Sequence, residues 1–373
     1  MNTGWLRAVR DKVYQSRILD VPAAVIAPLS HRILSLTAEE ADERLRAYSP
    51  CPAGTASAKH RLAIPFRYDL QIIVNVYNLE KYIKACADSI LSQETAYSFH
   101  VIFVDDGSTD ASPQILDAYA DDPRVTVIHQ ENTGVSSKNA GLKLLEASYV
   151  MFVDGDDLLE AGAVQAMLSE AFRRDADIVQ IGYSRLEGGQ RYPQPNDTET
   201  EEAAPYGEMT GFAWGKVIRS SLFETVQFPP GYWHPDSIVA FLLSPMCDRR
   251  IRIPAYGYLY RCSSGRLSRR APASPKCIDT WYITDYLTRE HIRRGLACDS
   301  AFYDELLRQV LLNARRMRRT PREIREAVLV LTAKLFEEVF ERDGVEPAIH
   351  QPLRRAVLNR DYGAYRLYCR THF

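Results

Sequence analysis

Short apolar runs alternate with amphipathic stretches through the middle of the chain. Runs rich in β-branched and aromatic residues predict strands at 70–76, 99–104, 125–128, 149–153 and 177–184. Apolar residues at helical spacing predict helices at 80–92, 112–120, 134–147 and 162–174. Strands that alternate with helices and lack hairpin signals form a parallel sheet covered on both faces, so the pattern predicts an α/β fold.

Less regular patterns flank this segment. Thr37 followed by Glu40 predicts a capped helix start, and residues 49–59 have the composition of a linker. A polar loop is expected from 187 to about 208, a helix at 236–243 and a strand at 256–260. Helices are predicted further on, at 281–294, 299–317, 321–341 and 352–360. We therefore expect an N-terminal extension (1–66), a sheet domain (67–270) and a C-terminal helical region (271–373).

The composition is that of a globular protein with a full core, since 46% of the residues are hydrophobic and 25% are charged. No apolar run reaches about eighteen residues, so no transmembrane helix is expected. Charged residues near the start interrupt any secretory signal. The seven cysteines show no Cys-x-x-Cys spacing, which argues against a zinc site and indicates free thiols in a reducing compartment. These features predict a cytoplasmic protein.

The two ends of the chain differ in charge. From residue 249 onward, 25 Lys and Arg stand against 14 Asp and Glu, whereas the preceding residues hold 21 against 34. The densest basic cluster comprises Arg315, Arg316, Arg318, Arg319, Arg322 and Arg325. A basic C-terminal part can face an anionic membrane surface. The alternative is that these basic residues lie on helix faces exposed to solvent.

Acidic residues follow two of the predicted strands. Asp106 follows the strand at 99–104, and Asp154, Asp156 and Asp157 follow the strand at 149–153. Because ligands bind beyond the carboxyl ends of parallel strands, the two acidic turns can meet. Asp154 and Asp156 are oxygen donors suited to Mg²⁺ or Mn²⁺, with positions left for substrate phosphates. The alternative is a strand-to-helix turn in which Asp157 caps a helix beginning near residue 158.

The sequence lacks the motifs of several common nucleotide-binding and catalytic sites. The sequence contains no Gly-x-Gly-x-x-Gly after the first strand, no P-loop, no His-Glu-x-x-His and no Gly-x-Ser-x-Gly. Any bound nucleotide must therefore be held by a metal ion and by side chains.

Four motifs in order resemble family 2 glycosyltransferases of the GT-A fold. They are Ile-Ile-Val-Asn-Val-Tyr-Asn at 72–78, Val-Asp-Asp-Gly-Ser-Thr-Asp at 104–110, Asn-Thr-Gly-Val-Ser-Ser-Lys-Asn-Ala-Gly at 132–141 and Phe-Val-Asp-Gly-Asp-Asp at 152–157. The resemblance spans about residues 68–270, over half of the chain. It implies a Rossmann-like, mostly parallel sheet flanked by helices, followed here by a C-terminal helical appendix.

The resemblance also implies roles for individual residues. Tyr77 would lie against a nucleotide base, and Asp106 would accept the imide N–H of uracil. Lys138, where the family more often has Arg, would reach a phosphate, with an exposed helix lysine as the alternative. Asp154 and Asp156 match the family's Asp-x-Asp pair, which contacts the ribose and a Mn²⁺ or Mg²⁺ ion on the diphosphate.

Two later segments extend the match. Trp214-Gly-Lys216 resembles the family's Trp-x-Lys segment, and the stretch at 258–268, with Arg261 and Arg266, resembles its late basic loop. These side chains are candidates for acceptor or diphosphate contacts. Trp214 could stack on an acceptor sugar, and a core tryptophan is the alternative.

The catalytic base is expected at Asp236. The family commonly has Glu-Asp before an apolar helix, whereas this chain has Pro235-Asp236, and its Asn75 replaces a usual Pro. The alternative role of Asp236 is a helix cap, and His234 and Asp248 are the reserve bases.

Taken with the family, these residues predict an inverting hexosyltransferase. It would use a nucleotide sugar, a UDP-sugar in the first instance, and a saccharide or lipid-linked acceptor of surface polysaccharide synthesis. No nucleic-acid partner is expected, and the site of action would be the inner face of the cell membrane. The alternatives are a catalytically silent nucleotide-sugar binding protein and a sugar-1-phosphate nucleotidyltransferase, although the latter's Gly-rich signature is absent.

Overall fold

The computed structural model describes residues 31–62, 64–132, 137–195, 201–262 and 274–372. Its strands are β1 (Tyr68–Val76), β2 (Phe99–Asp105), β3 (Val125–His129), β4 (Ala147–Asp154), β5 (Leu158–Leu159), β6 (Ile178–Glu187), β7 (Gln190–Pro193), β8 (Glu201–Glu202), β9 (Lys216–Arg219) and β10 (Arg250–Arg261). Its α-helices are α1 (Ala38–Tyr48), α2 (Ile83–Leu91), α3 (Ser112–Asp117), α4 (Ser137–Leu142), α5 (Ala163–Arg174), α6 (Asp279–Arg293), α7 (Ser300–Arg316), α8 (Arg322–Val339), α9 (Gln351–Leu358) and α10 (Tyr362–Thr371).

One mixed sheet organises the α/β part of the chain. Within the described ranges the strand order is β3-β2-β1-β4-β9-β6-β10-β5, with β7 beside β6 and β8 beside β10. The neighbours among β1 to β4 are parallel, as are β6 and β10, whereas β9 is antiparallel to both β4 and β6. The predicted α/β class with a mostly parallel sheet is therefore confirmed.

The chain divides into two compact units. Of the described residues, the sheet unit combines those from 52 to 262 with Tyr286–Leu296, and the helical unit combines those at 31–51, 274–285 and 297–372. The three-part division expected from the sequence stays a prediction.

Apolar residues on both faces of β1 form the core of the sheet unit. On one face Leu70, Ile72 and Val74 pack with buried side chains of α2 and α5. On the other face Ile73 contacts α4 so closely that a Cβ added at Gly141 would lie 2.6 Å from its Cγ2 atom. Glycine therefore lets α4 approach the sheet, which brings the residues of this helix to the carboxyl ends of the strands.

Two local expectations and one alternative are wrong. The polar loop expected from 187 is partly a hairpin, because Gly188 and Gly189 take positive φ values and join β6 to β7. Asp157 caps no helix, since β5 follows it directly. The helix expected at 236–243 is a 3₁₀ turn, Pro235–Ser237, followed by a π-helical turn, Val239–Leu243.

The helical unit has an aromatic core. Tyr303 of α7 stacks on Phe340 with 4.0 Å between ring centroids, and Phe336 packs edge-on against Tyr303. The predicted helix start at Thr37 is confirmed, because Thr37 and Glu40 form a reciprocal capping box. Among the residues that the structure describes, no helix is both long and apolar enough to span a bilayer.

Candidate functional site

The acidic turns lie at the same edge of the sheet. Strand β1 runs between β2 and β4, and the register aligns Val76 with Asp105 and Asn75 with Asp154. The turns that follow β2 and β4 are therefore separated by two strand spacings, roughly 10 Å. This carboxyl edge is the position where open α/β sheets bind ligands.

A tight turn after β4 presents the carboxylates of Asp154 and Asp156. The Gly155 N–H donates to Asn75 O at 3.1 Å, and the Asp157 N–H donates to Asp154 O at 2.8 Å. A Cβ at position 155 would lie 2.9 Å from Asn75 O, so the turn requires glycine. The backbone therefore fixes the spacing of the two carboxylates.

Asp157 holds the end of β10 against this turn. Its side chain is fully buried and accepts hydrogen bonds from the Tyr258 hydroxyl and the Arg261 N–H, both at 2.8 Å. The Tyr258 oxygen also accepts from the Asp154 N–H at 3.2 Å. Burial, with the nearby Asp157 and Asp154 carboxylates, raises the pKa of Tyr258 well above its usual value, so the hydroxyl keeps its proton. The sequence offered a helix cap only as an alternative for Asp157, and it did not reveal this buried role because the partners lie about a hundred residues away.

Lys138 of α4 connects two acidic segments. Its Nζ lies 3.8 Å from Asp154 Oδ1 and 3.5 Å from Asp236 Oδ1, and its side chain is only 13% exposed. Burial would lower the pKa of Lys138, but the two carboxylates outweigh it and the pKa is raised. The ammonium also lies 5.6 Å from the centroid of the Phe228 ring. Lys138 is thus a paired, mostly buried cation and not an exposed helix lysine.

The segment that supports Lys138 is fixed by an amide pair. The buried Asn139 donates to Phe228 O at 2.7 Å and accepts from the Phe228 N–H at 3.0 Å. These two hydrogen bonds to the backbone of Phe228 place its ring beside the Lys138 ammonium. Asn139 was not among the predicted site residues, although it lies within the third motif.

Asp236 lies in the 3₁₀ turn that follows His234. His234 has a positive φ of 63°, an uncommon conformation for a non-glycine residue, and it sets the direction of the turn. Asp236 Oδ2 accepts from the Ala213 N–H at 3.4 Å, in a separate segment. The reserve candidate Asp248 lies just before β10, at the opposite edge of the sheet. The geometry brings Asp236, but not Asp248, to Lys138.

Trp214 and Lys216 are buried components of the loop beside Asp236. The Trp214 ring stacks on Phe212 at 4.7 Å and on Tyr258 at 4.6 Å. Trp214 is 6% exposed whereas Phe212 is 41% exposed, so Phe212 is the solvent-facing ring of this stack. The fully buried Lys216 donates to Thr210 Oγ1 at 2.7 Å and to Phe212 O at 2.8 Å. Burial lowers the pKa of Lys216 to about 7, with Asp236 acting in the opposite direction.

The remaining candidates lie around the acidic turns. Tyr77 follows β1 and is half exposed, and the Asp106 N–H donates to Val76 O at 2.9 Å. Arg261 donates from Nε to Asp156 O at 2.8 Å, with its guanidinium 5.1 Å from the Tyr82 ring centroid. Arg266 lies outside the described residues.

The donor set at the Asp154 turn fits a hard cation that shares its coordination with phosphate. In the described part of the chain, no three His, Cys, Asp or Glu side chains converge as a metal cluster. Mg²⁺ usually takes one or two carboxylates and completes its shell with water and phosphate, and Asp154 and Asp156 supply two. Asn75 Oδ1 is a buried oxygen without a hydrogen-bond partner among the described residues, and its register partner is Asp154.

Comparison with known proteins identifies glycosyltransferases as the relatives of this chain. The sequence pattern of "Glycosyl transferase family 2" matches residues 71–226. The glycosyltransferase GlyG of Streptococcus pneumoniae serotype 4 is 32% identical over 221 residues, with 54% of this chain and 73% of GlyG covered. GlyA of the same organism is 32% identical over 222 residues, and the chain spans only 31% of its length.

A solved structure has the same fold. The chain is similar to S. aureus TarS 1-349 in complex with UDP-GlcNAc, with a TM-score of 0.61 and 21% sequence identity. The similarity covers 80% of this chain and 89% of the TarS chain. It confirms a GT-A-like fold for this chain.

The buried carboxylate of Asp157 generates a stability prediction. Asp157→Ala leaves the Tyr258 hydroxyl and the Arg261 N–H without their acceptor, so we expect the free energy of unfolding to fall by about 1–3 kcal/mol. Urea denaturation followed by fluorescence measures the change. The matched control is Asp156→Ala, which removes the adjacent, partly exposed carboxylate and should cost less. Equal losses in the two variants would contradict the role assigned to Asp157.

Proposed function

Because this chain belongs to family 2 of the glycosyltransferases, we propose that it transfers a hexose-type sugar from a UDP-sugar to an acceptor hydroxyl with inversion at the anomeric carbon. The observation that carries the proposal is the position of Lys138 between Asp154, on the donor side, and Asp236, the candidate base. One cation within 4 Å of both carboxylates supports a single site that would serve the donor and the acceptor together.

The donor would lie along the carboxyl edge of the sheet. Tyr77 offers an exposed ring for the base, and Asp106 offers an acceptor for the imide N–H of uracil. Asp154 would contact the ribose, and the ammonium of Lys138 would face the diphosphate. The TarS structure with UDP-GlcNAc, which shares the fold, supports a UDP-sugar as the donor.

A Mn²⁺ or Mg²⁺ ion would be held by Asp156 and Asp154. Such an ion offsets the negative charge that develops on the departing diphosphate. Lys138 and Arg261 would add positive charge on the same side. The buried bonds of Asp157 to Tyr258 and Arg261 support this arrangement, because they hold the turn in one conformation before the donor binds.

The acceptor would approach from the side of Asp236. Asp236 would take the proton of the acceptor hydroxyl as its oxygen forms a bond to the anomeric carbon, while the bond from that carbon to the diphosphate oxygen breaks. Lys216 would act indirectly, because it holds the 210–213 loop whose Ala213 N–H contacts Asp236. Of the stacked rings, the exposed Phe212 is better placed than the buried Trp214 to lie against a sugar.

The biological acceptor would be a saccharide or a lipid-linked saccharide of surface polysaccharide synthesis, at the cytoplasmic face of the membrane. The exposed side chains of Arg315, Arg318, Arg319 and Arg322 at the junction of α7 and α8 support membrane attachment. Arg318 donates to Arg315 O, and Arg322 pairs with Glu326 at 2.7 Å. Basic side chains near an anionic bilayer each gain about 1 kcal/mol.

The base assignment predicts a selective loss of turnover. Asp236→Asn keeps the shape of the side chain but cannot take a proton, so we expect turnover to fall by about 10²–10⁴-fold. Affinity for UDP and the melting temperature should stay close to those of the wild type. Near-normal turnover would move the role to His234, whereas a large drop in melting temperature would make Asp236 a structural residue. Turnover is measured as UDP release from a UDP-sugar.

Metal dependence is predicted from the paired carboxylates. Removal of divalent cations with EDTA should abolish turnover, and Mn²⁺ or Mg²⁺ should restore it. Asp156→Ala should remain inactive in the presence of either cation while its circular dichroism spectrum stays unchanged. Full activity of the EDTA-treated wild type would rule out the metal assignment.

Membrane binding is predicted to depend on salt and on the basic cluster. The protein should sediment with phosphatidylglycerol-containing vesicles at low salt and not with pure phosphatidylcholine vesicles. The double variant Arg318→Glu/Arg319→Glu should bind at least about 10-fold more weakly. Arg366→Glu/Arg370→Glu is the matched control, because it makes the same charge change on exposed residues of α10. Absence of vesicle binding by the wild type would leave the cluster as a solvated helix face.

A further inference from the structure

The amide of Gln130 lies against the carboxylate of Asp106. Gln130 follows β3, which is the neighbour of β2 at the carboxyl edge of the sheet. Its Nε2 donates to Asp106 Oδ1 at 2.7 Å. None of the four motifs that carry the family resemblance includes Gln130, and the donor site proposed above does not use it.

Chemistry fixes the orientation of this amide. An ionised carboxylate only accepts hydrogen bonds, so the NH₂ group and not the oxygen of Gln130 must face Asp106. The NH₂ group carries a second N–H, and within the described residues no acceptor bonds to it. Gln130 therefore offers one free donor directly beside the acceptor group of Asp106.

The backbone holds both residues in place. The Gln130 N–H donates to Asp105 O at 3.0 Å, and the ring of His129 bonds to Asp105 Oδ2 at 3.1 Å. The loop after β2 packs so closely on this segment that a Cβ at Gly107 would lie 2.7 Å from Asn132 N. Asp106 and Gln130 thus form an acceptor and a donor at a fixed spacing, which is the arrangement that selective recognition needs.

Such a pair is complementary to a ring edge that carries an N–H next to a C=O. Uracil, thymine and guanine have this edge, whereas cytosine and adenine have no ring N–H to donate. The geometry points to Gln130 as a base-reading residue: its second N–H donates to a carbonyl oxygen adjacent to the ring N–H that Asp106 accepts. This assignment rests on the proposed use of a nucleotide-sugar donor, and it adds a second specificity contact.

Thio-substituted nucleotides test this contact. Sulfur is a much weaker acceptor than oxygen, so 2-thio-UDP and 4-thio-UDP each weaken one carbonyl and keep the N–H. We expect the wild type to bind one of them roughly 2- to 12-fold more weakly than UDP, the range for a single neutral hydrogen bond. Gln130→Met, which keeps the length but has no donor, should bind UDP more weakly by a similar factor and should not distinguish UDP from that analogue. Isothermal titration calorimetry gives all of these dissociation constants.

The controls separate base reading from a merely structural role. Gln114→Met, at an exposed position of α3, should behave as the wild type with all three nucleotides. If Gln130→Met weakens every nucleotide but keeps the preference of the wild type for UDP over the analogue, Gln130 only orients Asp106 and the inference is wrong. It is also wrong if the wild type binds UDP and both analogues equally. Failure of the wild type to bind UDP at all would instead overturn the proposed function together with this inference.

Discussion

A buried ammonium group must be neutralised, and in this protein that requirement brings together segments that are distant in the sequence. Lys138 is paired with Asp154 at the end of β4 and with Asp236 in the turn after His234. An isolated ammonium in such a place would cost several kcal/mol, so the lysine requires the two carboxylates, which are themselves more exposed than it is. The close approach of α4 at Gly141 and the bond of Asn139 to Phe228 hold the lysine in this position.

The second support of the site is the hydrogen-bonded contact between the Asp154 turn and β10. Asp157 fixes Tyr258, and Tyr258 stacks on Trp214, which stacks on Phe212. Asp157, Tyr258 and Trp214, which are buried, and the exposed Phe212 thus form a continuous series of contacts from the candidate metal-binding turn to the loop beside Asp236. These contacts give the buried Trp-Gly-Lys segment a packing role next to the acidic turn.

Patterns of apolar and polar residues predicted those strands and helices whose residues form regular apolar runs or capping motifs. The apolar runs of β1, β2 and β4 and the capping box at Thr37 were correct because the side chains nearby in sequence determine them. The hairpin of β6 and β7 was missed because β7 is exposed on both faces and has no apolar alternation. The π-helical turn was missed because apolar residues at 238–243 fit an ordinary α-helix equally well, and the positive φ of His234 just before this segment has no signal in the sequence.

The site was predictable only in part for the same reason. The edge at which Asp106 and Asp154 lie follows from the rule for parallel strands, and it could be stated in advance. The partners of Asp157 and the shared position of Lys138 could not, since they depend on contacts between residues about a hundred positions apart. Gln130 has no motif of its own, and only its contact with Asp106 distinguishes it from other polar residues.

Lys216 shows how the loop beside Asp236 is coupled to protons in solution. An unfolded lysine keeps its proton up to a pH of about 10.5, whereas burial lowers the pKa in the folded chain to about 7. Between these values the unfolded chain binds more protons at this position than the folded chain does. Folding therefore releases a proton there, and the contribution of Lys216 to stability rises with pH across that window. The uncharged amine of Lys216 can still donate hydrogen bonds to Thr210 and Phe212. Burying this neutral amine costs less free energy than burying the ammonium.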